Sequence, residues 1–270
     1  MIFRARNFQF EFPRATVLMG IVNVTPDSFS DGGMYLDVNA ALARAHEIED
    51  QGADVLDIGG ESSRPGSRPT SEEEELRRVL PVIQSLSGGL RIPISIDTYR
   101  SQVARQALAA GAQIVNDISA FRFDPEMPGV VQSGKAGVIL MHSRGSREEL
   151  HKQPPMTDPI REVRDELQSA TRVAEGAGIE RSAVVVDPGI GFGKRAEESV
   201  EVLRNLEALS PLEYPLLIGT SRKSFLRTIV KDRLWGTAAT VASAVMHGAH
   251  IVRVHDVAEM RALVDALDAL

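Results

Sequence analysis

Short apolar runs alternate with longer stretches of helical periodicity along almost the whole chain. The runs are rich in Val and Ile and do not alternate cleanly with polar residues, which is typical of parallel strands buried on both faces. They span residues 17–24, 54–58, 93–97, 114–116, 137–141, 183–187, 216–218 and 251–254. Eight strand candidates, each followed by a helix candidate, predict an α/β fold, a single (β/α)8 TIM barrel. A doubly wound open sheet is the alternative, because periodicity does not report whether a sheet closes.

Several helix starts are marked by capping residues. Ser71 with Glu74 forms a capping-box pattern, and Asp256 with Glu259 forms another before the last helical stripe. Asp37 is the predicted cap of the first helix. At the amino terminus, residues 2–12 predict a short β-hairpin that covers the bottom of the barrel. Since no linker or low-complexity stretch interrupts the chain, we expect residues 1–270 to form a single domain.

Polar side chains gather where the predicted strands end. They are Asn23, Asp57, Asp97, Asn116, His142, Asp187, Ser221, Arg222, Lys223, Arg253 and His255. A barrel brings these ends to one face, where the βα loops build the site. A single carboxylate there is as readily a helix cap or a core hydrogen-bonding group, but several strand ends with matching chemistry favour a functional site. The long segments 25–36 and 60–70 follow the first two strands, and we interpret them as mobile lids over this face.

Charge and composition exclude several classes of function. The chain has 30 Lys and Arg against 37 Asp and Glu, a formal net charge of -7, so a dedicated nucleic-acid binder is disfavoured. The absence of Cys excludes disulfides, thiolate catalysis and thiolate metal sites. No apolar run approaches the roughly 18 residues of a membrane span, and no signal-peptide core is visible. We therefore expect a cytoplasmic protein without nucleic-acid or membrane partners.

Seven ordered motifs carry a family resemblance. They are residues 20–33 (GIVNVTPDSFSDGG), 60–66 (GESSRPG), 95–98 (SIDT), 115–118 (VNDI), 187–194 (DPGIGFGK), 219–224 (GTSRKS) and 253–256 (RVHD). Together they resemble the dihydropteroate synthases, pterin-binding TIM-barrel transferases of folate biosynthesis. The resemblance departs at Ser63, where the family usually has Thr, and over residues 143–145, where the loop differs.

The resemblance implies condensation of 6-hydroxymethyl-7,8-dihydropterin diphosphate with 4-aminobenzoate to give 7,8-dihydropteroate and diphosphate. It also implies Mg²⁺ with the diphosphate substrate, a homodimer through the late helices, and inhibition by sulfonamides. Because the electron-rich dihydropterin delocalises positive charge and the arylamine is already neutral, we expect an SN1-like displacement without a catalytic triad.

The same resemblance assigns residues to five roles. The pterin site comprises Asp97, Asn116, Met141, Asp187, Phe192, Lys223 and Arg253. The diphosphate site comprises Asn23, Ser63, Arg64, Arg253 and His255, and Asn23 also contributes one oxygen to the metal. The 4-aminobenzoate site comprises Phe29, Ser63, Pro65 and Ser224. The catalytic residues are Asp31, Arg64 and Lys223.

Three other functions remain open at this point. A methyltetrahydrofolate-type methyltransferase barrel shares the logic of pterin recognition, but it does not need both the phosphate cluster and the aminobenzoate loops. A catalytically silent pterin-binding paralogue keeps the pocket without turnover. A Schiff-base aldolase would use Lys223 as its amine.

Overall fold

Eight parallel strands form the central sheet of the protein, which is seen in a computed structural model describing residues 1–25, 34–63, 67, 69–150, 152–228 and 230–270. Two strands before it, β1 Ile2–Ala5 and β2 Phe8–Glu11, form an antiparallel hairpin. The eight strands of the central sheet are β3 Val17–Asn23, β4 Val55–Gly59, β5 Ile94–Asp97, β6 Ile114–Asp117, β7 Gly137–Met141, β8 Val184–Asp187, β9 Leu217–Ile218 and β10 Ile251–Val254. The helices are α1 Met34–Asp50, α2 Glu72–Leu86, α3 Ser101–Ala110, α4 Met127–Gly134, α5 Pro159–Gly176, α6 Ala196–Arg204, α7 Arg233–Met246 and α8 Val257–Asp268. Strands and helices alternate from β3 onward, as predicted.

The sheet curls until its two ends meet. Its spatial order is β8-β7-β6-β5-β4-β3-β10-β9, with parallel neighbours throughout. A parallel bridge between Val186 and Leu216 joins β8 to the start of β9, and the Val186 N–H donates to the Pro215 carbonyl at 3.0 Å. The predicted TIM barrel is therefore confirmed, and the open sheet was the wrong alternative.

The inward-facing side chains near the amino-terminal ends of the strands form an apolar floor. The floor residues are Val17, Met19, Val55, Ile114, Ile139, Val185, Leu217 and Ile251. The hairpin β1–β2 packs beneath them through Phe3, Ala5 and Phe10, and Phe12 follows. The prediction that residues 2–12 cover the barrel bottom is confirmed. On the outer side, alternate strand residues such as Leu56 and Ile96 are buried against the helices.

Three predicted helix starts have different outcomes. Ser71 caps α2, and its hydroxyl accepts from the Glu74 N–H at 3.2 Å, as predicted. The predicted cap at Asp37 is wrong: α1 begins at Met34, and the preceding good helix formers let the helix extend past it. Asp256 precedes α8 but makes no side-chain cap bond. Its carboxylate instead binds Arg222, where a guanidinium offers two donors.

None of the helices in the described ranges combines the length and the apolar character that a membrane span requires.

The hairpin is predicted to contribute substantially to stability through Phe3, which is 1% exposed, stacks on Phe10 at 6.1 Å between ring centroids and lies against Gly137. Phe3→Ala should lower the free energy of unfolding by about 3–5 kcal/mol, because it opens a cavity under the floor. Urea unfolding measures this. Phe8→Ala, on the half-buried position of the same hairpin, is the control and should cost clearly less. Equal losses in both variants would contradict the packing role of Phe3.

Candidate active site

On β4, β6, β8 and β10 the inward-facing position two residues beyond the apolar floor is polar, whereas β5 is polar at both positions and β7 is apolar at both. The successive inward pairs are Val55 and Asp57, Ser95 and Asp97, Ile114 and Asn116, Ile139 and Met141, Val185 and Asp187, and Ile251 and Arg253. The strand pairing brings three of the polar strand ends next to one another: Asn23 pairs with Gly59, Gly59 with Asp97, and Asp97 with Asn116. Because parallel strands end on the same side, these groups meet at one mouth of the barrel.

A guanidinium joins two carboxylates in the centre of this polar layer. The Nε of Arg253 donates to Oδ2 of Asp57 at 2.6 Å, and its Nη2 donates to Oδ2 of Asp97 at 2.8 Å. Asn116 donates to the same Asp57 oxygen at 3.2 Å. Burial disfavours the charged guanidinium, but the Asp57 and Asp97 charges outweigh it and keep the pKa of Arg253 above its usual value. The four side chains form one connected cluster.

Asp97 is a carboxylate whose pKa is set by opposing effects. Burial raises the pKa of Asp97 to about 7, the Arg253 charge opposes this increase, and the Asp57 charge adds to it. Its side chain keeps 21% exposure, whereas that of Asp57 has none. Asp97 therefore faces the open mouth with an acceptor whose ionisation changes near neutral pH.

Asp187 and Lys223 form a second charged pair across the mouth. Asp187 is 4% exposed and accepts from the Gly189 N–H at 2.7 Å. Burial raises the pKa of Asp187, although the Lys223 charge opposes this. Burial lowers the pKa of Lys223 to about 8, with Asp187 acting in the opposite direction. The Lys223 ammonium donates to the Ile190 carbonyl and lies 4.5 Å from the Phe192 ring centroid.

The glycine-rich segment that carries Phe192 is held from below by a buried lysine. Lys194 donates to the Gly189 carbonyl at 2.9 Å and lies 2.7 Å from Nδ1 of His142, whose Nε2 lies 3.2 Å from Glu166. Burial lowers the pKa of His142 to about 4, and Lys194 lowers it further. A neutral imidazole thus accepts from Lys194 at Nδ1, which leaves its proton on Nε2.

Gly189 is required at its position for two reasons. Its φ is +63°, in the left-handed region, and a Cβ there would come 1.8 Å from the His142 carbonyl oxygen. The close approach of the two loops depends on the missing side chain. An apolar patch then completes the wall of the mouth, where Met141 packs with Ile118 and Leu150, and Phe192 lies against them.

His255 lies at the rim, beyond Arg253 on the same strand. The Ser221 hydroxyl lies 3.0 Å from Nδ1 of His255 and accepts from the His255 backbone N–H at 3.1 Å. Arg44 donates to the His255 carbonyl at 2.8 Å. A groove of about 400 Å³ opens beside this residue, lined by Arg44, Arg222, Asp256 and residues of α1 and α8. Ser221 thus fixes both the backbone and the ring of His255.

The remaining predicted residues fall into two groups. Asn23 ends β3, half-buried Ser63 follows Gly60 in the next loop, and exposed Ser224 begins a short 3-10 helix, Ser224–Thr228. Four further predictions fall outside the described residues: Phe29, Asp31, Arg64 and Pro65.

Two contributors were missed at the sequence level. Asp57 was noted as a strand-end polar residue but given no role, although it anchors Arg253 and Asn116. Its place two residues after the floor residue Val55 was the available signal. Lys194 lies inside a quoted motif, but nothing in the sequence indicates that it binds His142, which is 52 positions away.

Asp97 is predicted to make the protein less stable as pH rises. Its folded-state pKa of about 7 exceeds the ordinary 3.8, so the folded state holds the proton more tightly and stability falls between about pH 4 and pH 7. Asp97→Asn should therefore lose less melting temperature than the wild type between about pH 5 and pH 8, measured by calorimetry. Exposed Asp50→Asn is the charge-matched control. An Asp97→Asn profile parallel to that of the wild type would contradict the prediction.

Comparison with known proteins agrees with this geometry. Residues 19–255 match the family described as "Pterin binding enzyme". Dihydropteroate synthase of Synechocystis is 46% identical over 97% of this chain and 92% of its own length. Xanthomonas albilineans dihydropteroate synthase was solved with 4-aminobenzoic acid (39% identity, TM-score 0.92, 99% and 97% coverage). Its complex with 7,8-dihydropteroate matches at 37% identity and TM-score 0.90, covering 100% of this chain and 98% of that one. This chain belongs to the dihydropteroate synthases, the pterin-binding transferases of folate synthesis.

Proposed function

We propose that residues 1–270 act as one pterin-binding domain that condenses 6-hydroxymethyl-7,8-dihydropterin diphosphate with 4-aminobenzoate. The products are 7,8-dihydropteroate and diphosphate. The observation that carries this proposal is the convergence of Asp97, Asn116, Asp187, Lys223 and Arg253 in one buried polar layer at the carboxyl ends of the strands. Burying so many polar groups is costly unless a ligand of matching chemistry satisfies them.

The amino-pyrimidinone edge of the pterin matches these groups in donors and acceptors. Asp187 receives a parallel pair of N–H bonds from the ring, and Asp97 and Asn116 complete the edge. Lys223 donates to the ring oxygen and a ring nitrogen. A ring that lacks a matching donor leaves a buried acceptor unpaired, so the same cost that these groups impose supplies specificity.

The faces of the pterin are covered by apolar and cationic groups. Met141 and Phe192 pack on the ring, and the Arg253 guanidinium stacks on it. Asp57 supports that stacking, since its bond to Nε fixes the plane of the guanidinium. The wall formed by Met141 and its neighbours also excludes water from the reacting carbon.

The diphosphate occupies the rim, where Asn23, Ser63, Arg64, Arg253 and His255 bind its oxygens. With Nδ1 of His255 accepting from the Ser221 hydroxyl, Nε2 carries the proton and donates to a phosphate oxygen. These contacts stabilise negative charge on the leaving group as the C–O bond breaks.

Mg²⁺ fits this rim as a companion of the substrate. Among the described residues there is no cluster of three His, Asp or Glu side chains able to hold an ion, so the protein offers Asn23 as a single neutral oxygen ligand. Because Mg²⁺ keeps waters and favours phosphate oxygens, the diphosphate supplies most of its coordination. When bound, the ion neutralises charge on the leaving diphosphate.

Bond breaking precedes bond formation in the proposed SN1-like path. As diphosphate leaves, positive charge spreads over the dihydropterin, where the Asp97 and Asp187 carboxylates and Asp31 of the first loop offset it. The neutral amine of 4-aminobenzoate then attacks the methylene carbon and loses a proton. The catalytic residues are Asp31, Arg64 and Lys223.

The 4-aminobenzoate lies above the pterin carbon, between the first two βα loops. Phe29 and Pro65 flank its ring, Ser63 approaches from the second loop, and Ser224 with the N–H groups of the helix start binds its carboxylate. Sulfonamides copy the shape of this substrate and are expected to compete with it.

We further infer that the protein acts in the cytoplasm as a homodimer. The late helix α7 leaves Trp235 and Met246 exposed by 68% and 73%. Large apolar side chains exposed on one helix favour an interface between copies of the chain.

The activity is tested by diphosphate release that depends on 4-aminobenzoate. The wild type should release diphosphate only when both substrates are present. Lys223→Ala should lower kcat/KM by roughly 10²–10³-fold, because it removes a preorganised cation from the pterin site. Exposed Lys231→Ala is the matched control and should behave as the wild type. If the wild type binds pterin diphosphate without turnover, the chain is a silent pterin-binding protein instead.

Substrate binding is expected to be ordered. In calorimetry, 4-aminobenzoate should bind about tenfold more weakly, or worse, when pterin diphosphate and the products are absent, because the two loops that receive its ring are arranged by the bound diphosphate. A non-reactive pterin with added diphosphate should restore the affinity. Full affinity for 4-aminobenzoate alone would refute the order.

A further inference from the structure

A buried network of charges outside the pterin site holds the second βα loop. Arg147, in the loop after β7, is 9% exposed, and its Nε donates to Oε1 of Glu61 at 2.7 Å. Its Nη2 donates to the Ser62 carbonyl at 2.7 Å and to the Ser67 hydroxyl at 3.1 Å. One guanidinium therefore forms hydrogen bonds to this loop both before and after residues 63–66.

A second arginine anchors the other end of the same loop. Arg100 pairs with Glu61 at 2.9 Å and donates to the Thr70 carbonyl at 2.6 Å. It also pairs with Glu75 of α2. The Thr70 N–H donates to Glu61 at 3.1 Å. Arg100 thus ties the loop to the elements that follow it in sequence, whereas Arg147 ties it to a βα loop 86 positions away in the chain.

We propose that Arg147 is a positioning residue that fixes the second βα loop for 4-aminobenzoate. The proposal rests on the proposed function, in which Ser63 of this loop contacts that substrate. The Ser62 carbonyl and the Ser67 hydroxyl lie on either side of Ser63 in the chain. By binding both groups, Arg147 fixes the direction of the Ser63 side chain. Because the guanidinium is planar and offers several donors in fixed directions, it makes these bonds together with the ion pair to Glu61.

The effect is expected to fall on the groups that this loop contacts, which in the proposed function are 4-aminobenzoate and the diphosphate, and not on the pterin ring. The pterin groups Asp97, Asn116 and Asp187 belong to strands β5, β6 and β8, which form the barrel without Arg147. Glu61 keeps Arg100 and the Tyr99 hydroxyl, which lies 3.2 Å from it. Burial and the Glu61 charge raise the pKa of Tyr99 to about 12, so this hydroxyl stays protonated and able to donate. Loss of Arg147 should therefore loosen the loop and leave the pterin site intact.

The experiment compares Arg147→Ala and Arg147→Lys with Arg164→Ala, which changes an arginine on α5 whose side chain is 41% exposed. Arg147→Ala should raise KM for 4-aminobenzoate about tenfold, the size expected for losing hydrogen bonds from a charged donor. Its Kd for a pterin that lacks the diphosphate, measured by calorimetry, should stay within about twofold of the wild type, because the pterin ring contacts no residue of this loop. Arg147→Lys keeps the positive charge beside Glu61 but loses the several donors of the guanidinium, so its KM for 4-aminobenzoate should lie between those of the wild type and Arg147→Ala. Arg164→Ala should match the wild type.

Hydrogen exchange supplies a readout that does not depend on turnover. In Arg147→Ala, amides of residues 59–71 should exchange faster, whereas those of β5 and β6 should keep wild-type rates. An equal loss of affinity for the pterin and for 4-aminobenzoate, or an unchanged KM for 4-aminobenzoate in a folded variant, would overturn the proposal. If Arg147→Ala fails to fold, Arg147→Lys decides by the same split. Failure of the proposed function is distinguishable, because the wild type itself would then release no diphosphate with 4-aminobenzoate.

Discussion

Alternation of side chains along the barrel strands is the constraint on which the rest of the molecule depends. In each strand one set of residues points into the barrel, and its members lie two positions apart. Val55 and Ile251 therefore belong to the packed floor, and Asp57 and Arg253 to the layer above it. Since the strands are parallel, the change from apolar to polar occurs toward the same end of the barrel in each strand that shows it. The chemistry is concentrated at one end because the packing occupies the other.

That concentration has an energetic cost. Asp57 is fully buried, and its Oδ1 has no hydrogen-bond partner among the described residues. Burial also shifts Asp97, Asp187 and Lys223 toward their neutral forms. A substrate that pairs with these groups recovers part of the cost, so the free protein gives up stability for selective binding. The tight apolar floor and the aromatic hairpin offset that loss elsewhere in the molecule.

The sequence predicted the strands well because short apolar runs rich in Val and Ile stand out between helical stretches, and each predicted run overlaps the observed strand closely; β5 and β7 are examples. It placed the polar strand ends at one mouth of the barrel because the carboxyl ends of parallel strands lie on the same side. It assigned no role to Asp57, since a strand buried on both faces hides which residues point inward. It also missed Arg147, because contacts across 86 positions depend on how loops fold over one another. Asp37 was misread because a capping residue type also occurs inside helices.

The floor beneath the polar layer also determines how molecules reach the inside of the barrel. Phe3, Phe10 and Phe12 close the end of the barrel opposite the active site, so substrates and products enter and leave by the same open end. In the proposed function the pterin beside Asp187 lies deepest in the barrel, and the diphosphate at the rim lies nearer the open end. The diphosphate is therefore able to leave while the pterin product is still bound.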